Sequence, residues 1–539
     1  MPVEYAKFIV TNKGALKAKY GAGLSRVLKA VDGLVAADAA RGIVSRLVAL
    51  DVAADMAPYG GRPMDGPKDR EGAKRCIDAI DKVAEPHYLL ILGGPDVVPM
   101  QWLFNTAGML AGTNPEQWKL GDDDRNVPSD LPYACDAAFS DDAGEFQGPT
   151  RVVGRLPDVP GARNPDFLVK VLKLAAAAKP LPREAYAKWM AVSTETWERS
   201  TRKTVTRIFG DDTRMIISPP RKNPLSPRTL APRVHFYNCH GGPSRIGFVG
   251  ERADHRQCDV ITAPKLRGKV TAGTVVVAEC CFGADVFDPK DGEDAPGTLG
   301  MALEYLRQGA YGFFGSSTTA YGQTSTNDYA DVICRNFTKK VLAGASLGRA
   351  ALEARIDYLK YRTWDDPVKL KTLAQFHLLG DPSIHPVAAG RPAVEGAVRL
   401  PAALLAQLGR QRAKRRKKQR EEGRRLYTVR RRFKYLGLDI SSDIVHKLEA
   451  MASELAMRGK LLRFFEMSAD VEEAARGGAS RRAKRSADQV VLMLDKIAQD
   501  IGDEPAPDPG LLRPVPCYGG LVAYIQDGKI VRIKKIVSR

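Results

Sequence analysis

Short apolar runs that end in glycine recur through the middle of the chain, and they constrain the fold more than any other feature. Segments with the apolar spacing of helices lie between them. The runs include "HYLLILGG", "TRVVGRLP", "RVHFYNCHGG", "GTVVVAECCFG" and "YGFFGSS". Strands buried on both faces of a parallel sheet have this uninterrupted apolar character. Because such strands alternate with helices, the sequence predicts an α/β fold on a mostly parallel sheet.

The domain organisation follows from changes in composition along the 539 residues, which are too many for one ordinary domain. We expect an α/β segment over 1–75 that packs on or joins a sheet domain over 76–390. A basic linker or helix over 391–435 then leads to a C-terminal helical region over 436–539. That region should end in a β-hairpin, because "GLVAYIQDGKIVRIKKI" alternates apolar and polar residues around Asp-Gly.

The net charge is +19, and its excess is concentrated in the C-terminal third, which contains the basic run Arg410–Lys434. One interpretation is a solvated helix or disordered linker. Another is a contact with nucleic acid or an anionic surface, which the interleaved Tyr427, Phe433 and Tyr435 favour. No stretch has the length of a transmembrane helix, and the N-terminus lacks the apolar core of a signal peptide. We therefore expect an intracellular, cytoplasmic protein whose eight cysteines are reduced thiols.

Two predicted strand ends carry reactive side chains. His240 precedes two glycines at one end, and Cys280 and Cys281 precede Phe-Gly at the other. Since the carboxyl ends of parallel strands meet at one edge of a sheet, we expect the imidazole and a thiol to lie close together. An imidazole can take the proton of a thiol, and the resulting thiolate attacks carbonyl groups. The pair therefore predicts nucleophilic catalysis.

The residues beside the pair suit the same chemistry. Gly241 lets its peptide N–H approach a substrate closely, and the N–H of the cysteine is a second donor for the tetrahedral oxyanion. Gly283 permits a tight turn after the strand. Glu279 either orients the site or caps the strand, and its side chain should point opposite to those of its neighbours.

The same side chains are compatible with other roles. A buried inert thiol is one alternative for Cys281. A zinc site of Cys239, Cys280, Cys281 and His240 is another, but the spacing matches no paired Cys-x-x-Cys framework. His235 lies inside an apolar run and is interpreted as a core residue. Four cysteines belong to no motif and are interpreted as structural: Cys76, Cys258, Cys334 and Cys517.

The order of these motifs resembles the caspase–hemoglobinase clan of cysteine peptidases, and ordered blocks over about residues 85–385 resemble its gingipain-like family. The blocks are "YLLILGGPDVVP", "SDLPYACD", "RVVGRLP", "GAYGFFGSS" and "FHLLGDPSI". The resemblance implies an α/β/α sandwich and a cysteine endopeptidase that works through an acyl-enzyme. It makes Cys281 the nucleophile and His240 the general acid/base, and Cys280 stands where alanine is usual.

The resemblance also implies a specificity. Arg-cleaving gingipains carry a pocket carboxylate after the tyrosine of "SDLPYACD", and the nearest match is Asp136, with Asp141 and Asp142 as rivals. A carboxylate at that position selects arginine or lysine. Glu279 is a further substrate-binding candidate. This specificity gives a third interpretation of the basic run Arg410–Lys434, as a segment that the enzyme cleaves in its own chain. The chemistry requires no cofactor, although relatives of the clan use calcium for structure.

A non-catalytic interaction protein is the alternative function for a chain with these features. It would keep the peptidase fold without activity and would bind nucleic acid or a protein partner through its basic C-terminal third. Steep salt dependence of nucleic-acid binding would identify it.

Overall fold

The computed structural model describes most of the chain, and strands and helices are numbered below in chain order. The residues outside the description are 1–5, 108–123, 220–224, 361–365, 389–401, 429–430, 438–441, 454–461, 470–487, 497–516 and 527.

A ten-stranded sheet forms the centre of the fold. Its strands are β1 (Lys7–Thr11), β2 (Ser45–Ala49), β3 (Tyr88–Leu92), β6 (Val153–Leu156), β7 (Met190–Ser193), β8 (Met215–Ile217), β9 (Val234–Asn238), β12 (Val275–Ala278), β13 (Gly312–Ser316) and β15 (Phe376–Gly380). They lie in the order β2-β1-β3-β6-β15-β13-β12-β9-β7-β8. All neighbours are parallel except β13 and β15. The sheet is therefore two parallel halves of opposite direction, which confirms the predicted mostly parallel α/β fold.

The central strands are buried on both faces. Every residue of β9 and of β12 is buried. A strand covered on both sides has no polar face, which explains why these runs lack alternation in the sequence. The strands of the N-terminal segment, β1 and β2, join the same sheet through the pairing of β1 with β3.

Helices follow most of the strands. The described helices are α1 (Lys13–Tyr20), α2 (Leu24–Ala40), α3 (Ala53–Met56), α4 (Arg70–Ala84), α5 (Asp166–Ala177), α6 (Glu198–Phe209), α7 (Ala263–Leu266), α8 (Met301–Arg307), α9 (Ala330–Leu342), α10 (Leu347–Lys360), α11 (Pro367–Gln375), α12 (Ala402–Thr428) and α13 (Ser442–Ser453). Two ribbons complete this part of the fold, β4 (Gln101–Phe104) with β5 (Asn126–Ser129) and β10 (Gly247–Glu251) with β11 (Gln257–Thr262). Among the helices in the described ranges, none has the length and apolarity needed to cross a membrane.

A second, antiparallel sheet contains the C-terminal strands. They are β16 (Arg431–Gly437), β17 (Leu462–Ala469), β18 (Asp488–Lys496), β19 (Tyr518–Gln526) and β20 (Lys529–Ser538), and the two-residue strand β14 (Tyr321–Gly322) pairs with β20. The β19–β20 hairpin lies where the sequence predicts one. Its Gly528 has a φ of 71°, and Asp527 is outside the described residues.

The C-terminal region is less helical than expected, and this part of the prediction is wrong. The segments that contain β17 and β18 were expected to be helical. Residues 490–493 of β18 are all buried and apolar. A short continuous apolar run has no period that separates a helix from a strand. Here the neighbouring strands β17 and β19 supply the hydrogen-bond partners, so tertiary context decides the conformation.

Much of the basic run is helical, and its arginines contact the sheet domain. Arg416 of α12 pairs with Glu85 at 3.0 Å, and Arg415 pairs with Glu353 at 2.9 Å. Arg420 is buried against Asp81. These contacts give part of the positive charge an intramolecular role. The preceding linker, through residue 401, lies outside the described residues.

Candidate active site

The two predicted catalytic side chains follow adjacent strands. His240 comes two residues after β9, and Cys281 comes three residues after β12, which pairs with β9 in parallel. The loops touch, because a Cβ atom placed on Gly241 would overlap the carbonyl oxygen of Cys281. Only glycine therefore fits after the histidine without moving the two loops apart. The sheet therefore brings together the two loops that carry His240 and Cys281.

His240 is fully buried and is oriented by a carboxylate. Its Nε2 lies 2.9 Å from Oε2 of Glu251, the last residue of β10. Nδ1 of His255 lies 2.6 Å from the other oxygen of that carboxylate. The edge of the His240 ring also packs on Trp197, with the ring centroids 4.6 Å apart. The carboxylate leaves Nδ1 as the imidazole nitrogen that can exchange a proton with a thiol.

Sequence reasoning missed Glu251. Its position depends on the β10–β11 ribbon, which folds back so that Val249 bridges to the backbone of His240 at 2.8 and 2.9 Å. The only sequence signal is a glutamate that ends the short run "GFVGE" after the His-Gly-Gly segment. Burial raises the pKa of the Glu251 carboxyl, but the hydrogen bonds from His240 and His255 outweigh it and hold the pKa at about 2.

Cys281 is enclosed by backbone groups. The N–H of Ala320 donates to its Sγ at 3.2 Å. The N–H of Cys281 itself donates to the carbonyl oxygen of Arg539 at 2.9 Å, which is the geometry expected of an oxyanion donor. Within the described chain no equivalent bond is found from the N–H of Gly241. Burial raises the pKa of the Cys281 thiol, so the thiol is protonated in this covered arrangement.

The turn after Cys281 is made differently from the expectation. The left-handed conformation falls on Phe282, with a φ of 51°, and not on Gly283. Gly283 is needed for close packing instead, since an added Cβ would lie 2.9 Å from the Cβ of Ala278. A non-glycine residue in this conformation costs about 1 kcal/mol or more, and such strain is common beside reactive residues.

The two adjacent cysteines lie in different surroundings. Cys280 is fully buried, with its Sγ 3.9 Å from the carbonyl oxygen of Tyr237 on β9. Burial raises the pKa of the Cys280 thiol well above its ordinary value. Its neighbour Cys239 is directed at the carbonyl oxygen of Val192, at 3.8 Å. Both thiols therefore belong to the core beneath the site.

The described residues that could bind a metal together differ from the zinc site that the sequence suggests. Among the described residues, the donor atoms of His240, Glu251 and Cys517 lie within 4.8 Å of one another. The Sγ of Cys517 is 3.4 Å from Nε2 and 3.7 Å from Nδ1 of His240, so the structural interpretation of Cys517 was incomplete. Nitrogen, oxygen and sulfur donors suit zinc, but an ion would have to replace the hydrogen bond between His240 and Glu251.

Glu279 lies beneath the site, and its carboxylate has no hydrogen-bond partner in the described part of the chain. It is fully buried, and neither carboxylate oxygen is bonded to any described residue. Burial and the neighbouring Asp331 raise the pKa of its carboxyl well above the ordinary value, and Arg539 opposes this change. An ionised carboxyl here would be costly without a cation, and the raised pKa favours the neutral form.

The structure does not bring Asp136 to this group. Its carboxylate accepts a hydrogen bond from Thr150 at 2.7 Å and pairs with Arg151 at 3.3 Å and Arg424 at 3.2 Å. Of its rivals, Asp142 caps a short helical turn through the N–H of Gly144. The position of Asp136 depends on loop geometry that a motif alone does not define.

Comparison with known proteins places the chain in a family. Residues 25–387 match the model of peptidase family C25. A solved structure named "Structure of Protease" is 13% identical, with a TM-score of 0.44, and the match covers 100% of this chain and 98% of that one. The complex of the pro- and mature domains of RgpB from Porphyromonas gingivalis is 9% identical, with a TM-score of 0.43 and coverage of 98% and 99%.

A separase–securin complex from Saccharomyces cerevisiae is 11% identical with a TM-score of 0.28, and the match covers 44% of this chain and 14% of that one. No curated protein matches. The family model alone spans about two thirds of the chain and includes both strand ends that carry His240 and Cys281. The chain belongs to peptidase family C25, the gingipain family of cysteine peptidases.

Proposed function

We propose that this peptidase is an endopeptidase in which Cys281 is the nucleophile and His240 the general acid/base. The observation that carries the proposal is the junction of the two strand ends, where Gly241 packs against the carbonyl of Cys281 and His240 is held by a buried carboxylate. A histidine that only fills the core needs no buried carboxylate beside its ring. Glu251 is proposed as the residue that orients the imidazole and stabilises the imidazolium once it forms.

The first chemical step transfers the thiol proton of Cys281 to Nδ1 of His240. The imidazolium is stabilised by the Glu251 carboxylate on its other nitrogen, which compensates for the burial of the charge. The thiolate then attacks the carbonyl carbon of the scissile peptide bond. Its oxygen becomes an oxyanion that accepts the N–H of Cys281, with Gly241 proposed as the second donor.

The tetrahedral intermediate collapses as His240 gives its proton to the leaving amine, and the C–N bond breaks. An acyl-enzyme remains on Cys281. His240 then takes a proton from a water molecule as the water oxygen attacks the thioester carbon. The C–S bond breaks and His240 returns the proton to the departing thiolate, which releases the carboxylic acid and restores the thiol. His240 accepts and returns the proton in both half-reactions, and the backbone N–H groups donate hydrogen bonds to the oxyanion.

Labelling with a peptidyl acyloxymethyl ketone tests the assignment. The parent chain and an Arg539→Ala variant are both treated, because Arg539 lies against the Cys281 N–H. We expect the label on Cys281 by mass spectrometry, no label in Cys281→Ala and normal label in Cys280→Ala. A label on Cys280, or none in any of these variants, would refute the proposed nucleophile.

A preference for arginine or lysine before the scissile bond is part of the proposal. The buried carboxyl of Glu279, which lies two residues before the nucleophile, supports it. Asp136 gives no support, because its carboxylate is already paired. Cleavage of peptides that differ only in the residue before the bond measures this preference.

Self-processing in the basic run remains a separate prediction. A peptidase binds an extended segment, and residues up to Thr428 are helical, so cleavage there would require the end of α12 to unwind. Incubation of the purified protein followed by gel electrophoresis tests it, with Cys281→Ala as the control. A chain that stays intact while it cleaves peptides would refute it. The alternative of an inactive nucleic-acid-binding protein has no support from the comparisons.

A further inference from the structure

The last strand of the described chain is bound in the way a substrate would be. β20 pairs antiparallel with β14, with Ser538 opposite Tyr321. The pairing continues into the site, where the N–H of Arg539 donates to the carbonyl oxygen of Ala320 at 2.8 Å. The carbonyl oxygen of Arg539 then accepts the N–H of Cys281 at 2.9 Å. An extended segment added to a strand edge is a common mode of peptide recognition.

The Arg539 side chain fills a closed pocket. Its Nη2 lies 3.0 and 3.1 Å from the two carboxylate oxygens of Asp331 and 3.1 Å from the carbonyl oxygen of Gln323. The guanidinium carbon is 4.6 Å from the centroid of the Trp197 ring. Gly322 forms one wall, because an added Cβ would overlap the guanidinium. The side chain is 0% exposed, so water is excluded from the pair.

The pocket is acidic beyond what one ion pair needs. Glu279 and Asp331 are both fully buried, and the Glu279 oxygens have no hydrogen-bond partner among the described residues. Burial raises the pKa of each carboxyl, and Arg539 opposes the change in both. Two carboxyls in an apolar enclosure favour a single cation between them. Among the described residues the side-chain hydrogen bonds of Arg539 come from Nη2 alone, and the planar guanidinium also lies over the Trp197 ring, a contact that favours arginine over lysine.

We propose that Asp331, Glu279 and Trp197 form the specificity pocket for the arginine before the scissile bond, and that β20 with Arg539 occupies it as a built-in substrate mimic. This inference rests on the proposed function, since it names the substrate side chain of the same site. A substrate can enter only when Arg539 leaves.

The rest of the C-terminal sheet holds the mimic in place. The ammonium of Lys534 on β20 pairs with Asp328 at 2.7 Å and with Asp366 at 3.3 Å. Tyr524 of β19 also donates to Asp366. Just before β19, the thiol of Cys517 contacts His240. The same sheet therefore covers both catalytic residues, and this attachment gives Arg539 a high effective concentration at the pocket.

Three variants of the full chain test self-inhibition. Arg539→Ala should hydrolyse an arginyl peptide substrate at least about tenfold faster than the parent, because the tethered competitor is lost. Arg539→Lys should lie between the two, since lysine lacks the planar fork. Arg532→Ala is the matched control, because Arg532 is an exposed arginine of the same strand and should leave the rate unchanged. Equal rates for the parent and Arg539→Ala would overturn self-inhibition.

The pocket is tested separately in the Arg539→Ala background. Adding Asp331→Asn should lower kcat/KM for the arginyl peptide at least about tenfold relative to the same peptide with leucine before the bond. Agmatine, a small guanidinium compound, should inhibit Arg539→Ala but not the variant that also carries Asp331→Asn. An unchanged preference, with inhibition retained, would overturn the assignment of Asp331.

The rate at which iodoacetamide modifies Cys281 distinguishes failure of the self-inhibition proposal from failure of the proposed peptidase function. If Arg539→Ala exposes the thiol to iodoacetamide but no variant cleaves any peptide, the proposed function fails while the covering by Arg539 stands. If Arg539→Ala neither unfolds in thermal denaturation nor reacts faster than the parent, the inference fails. Should that variant unfold, the Arg539→Lys chain supplies the same comparison with the cation retained.

Discussion

Replacing Glu251 with glutamine should remove a pH-dependent part of the stability. The Glu251 carboxylate is 2% exposed and accepts hydrogen bonds from His240 at 2.9 Å and His255 at 2.6 Å. Although burial opposes ionisation, these bonds hold its pKa at about 2, below the ordinary value of 4.5. Glutamine keeps the shape and one acceptor oxygen, but it replaces the other oxygen with an NH2 donor and cannot carry the charge.

The size of the effect follows from the difference between the two pKa values. The difference between 4.5 and about 2 corresponds to about 3 kcal/mol of stabilisation of the folded state at neutral pH. Because the folded-state pKa is the lower one, the stabilisation is complete above pH 4.5 and is lost as the pH falls towards 2. About 2 kcal/mol should be lost by pH 3. His255 is 38% exposed, so screening makes these values upper bounds.

Urea unfolding followed by tryptophan fluorescence measures the effect, since Trp197 packs on His240. The free energy of unfolding of Glu251→Gln should be below that of the parent at pH 7, and the difference should shrink by about 2 kcal/mol at pH 3. Glu421→Gln, on the exposed face of α12, should show no difference at either pH. A difference between the parent and Glu251→Gln that stays constant from pH 7 to pH 3 would refute the ionic interaction.

Three further predictions concern the site. Gly322→Ala fills the arginine pocket and should slow cleavage after arginine at least about tenfold relative to cleavage after alanine, measured with a matched peptide pair. Gly241→Ala pushes the histidine loop from Cys281 and should lower kcat about 100-fold with little change in KM, whereas Gly33→Ala, at an open helix position, should leave both constants unchanged. Cys280→Ala should retain activity and cost about 1 kcal/mol in urea unfolding, whereas Cys281→Ala should be inactive; reversed activities would shift the motif by one residue.

The strands β9 and β12 show best what could be predicted from the sequence. Their continuous apolar character predicted buried parallel strands, because side chains on both faces must be apolar when both faces are covered. Parallel strands that are sheet neighbours end at the same edge, so the placement of His240 near Cys281 followed from the chain order and the strand pattern. The family resemblance rested on these same local blocks.

Tertiary structure alone decided which groups surround them. The position of Glu251 depends on how a short ribbon folds back, and Asp331 lies on a helix 50 or more residues from His240 and Cys281. Cys517 and Arg539 lie at the ends of strands of a second sheet. Cys517 is 277 residues from His240 in the sequence, and Arg539 is 258 residues from Cys281. Local patterns record periodicity and turn chemistry, but they do not record which distant strand covers a cleft. The sequence by itself therefore determined the sheet and the reactive pair, while long-range packing determined the carboxylate that orients the histidine and the arginine that fills the pocket.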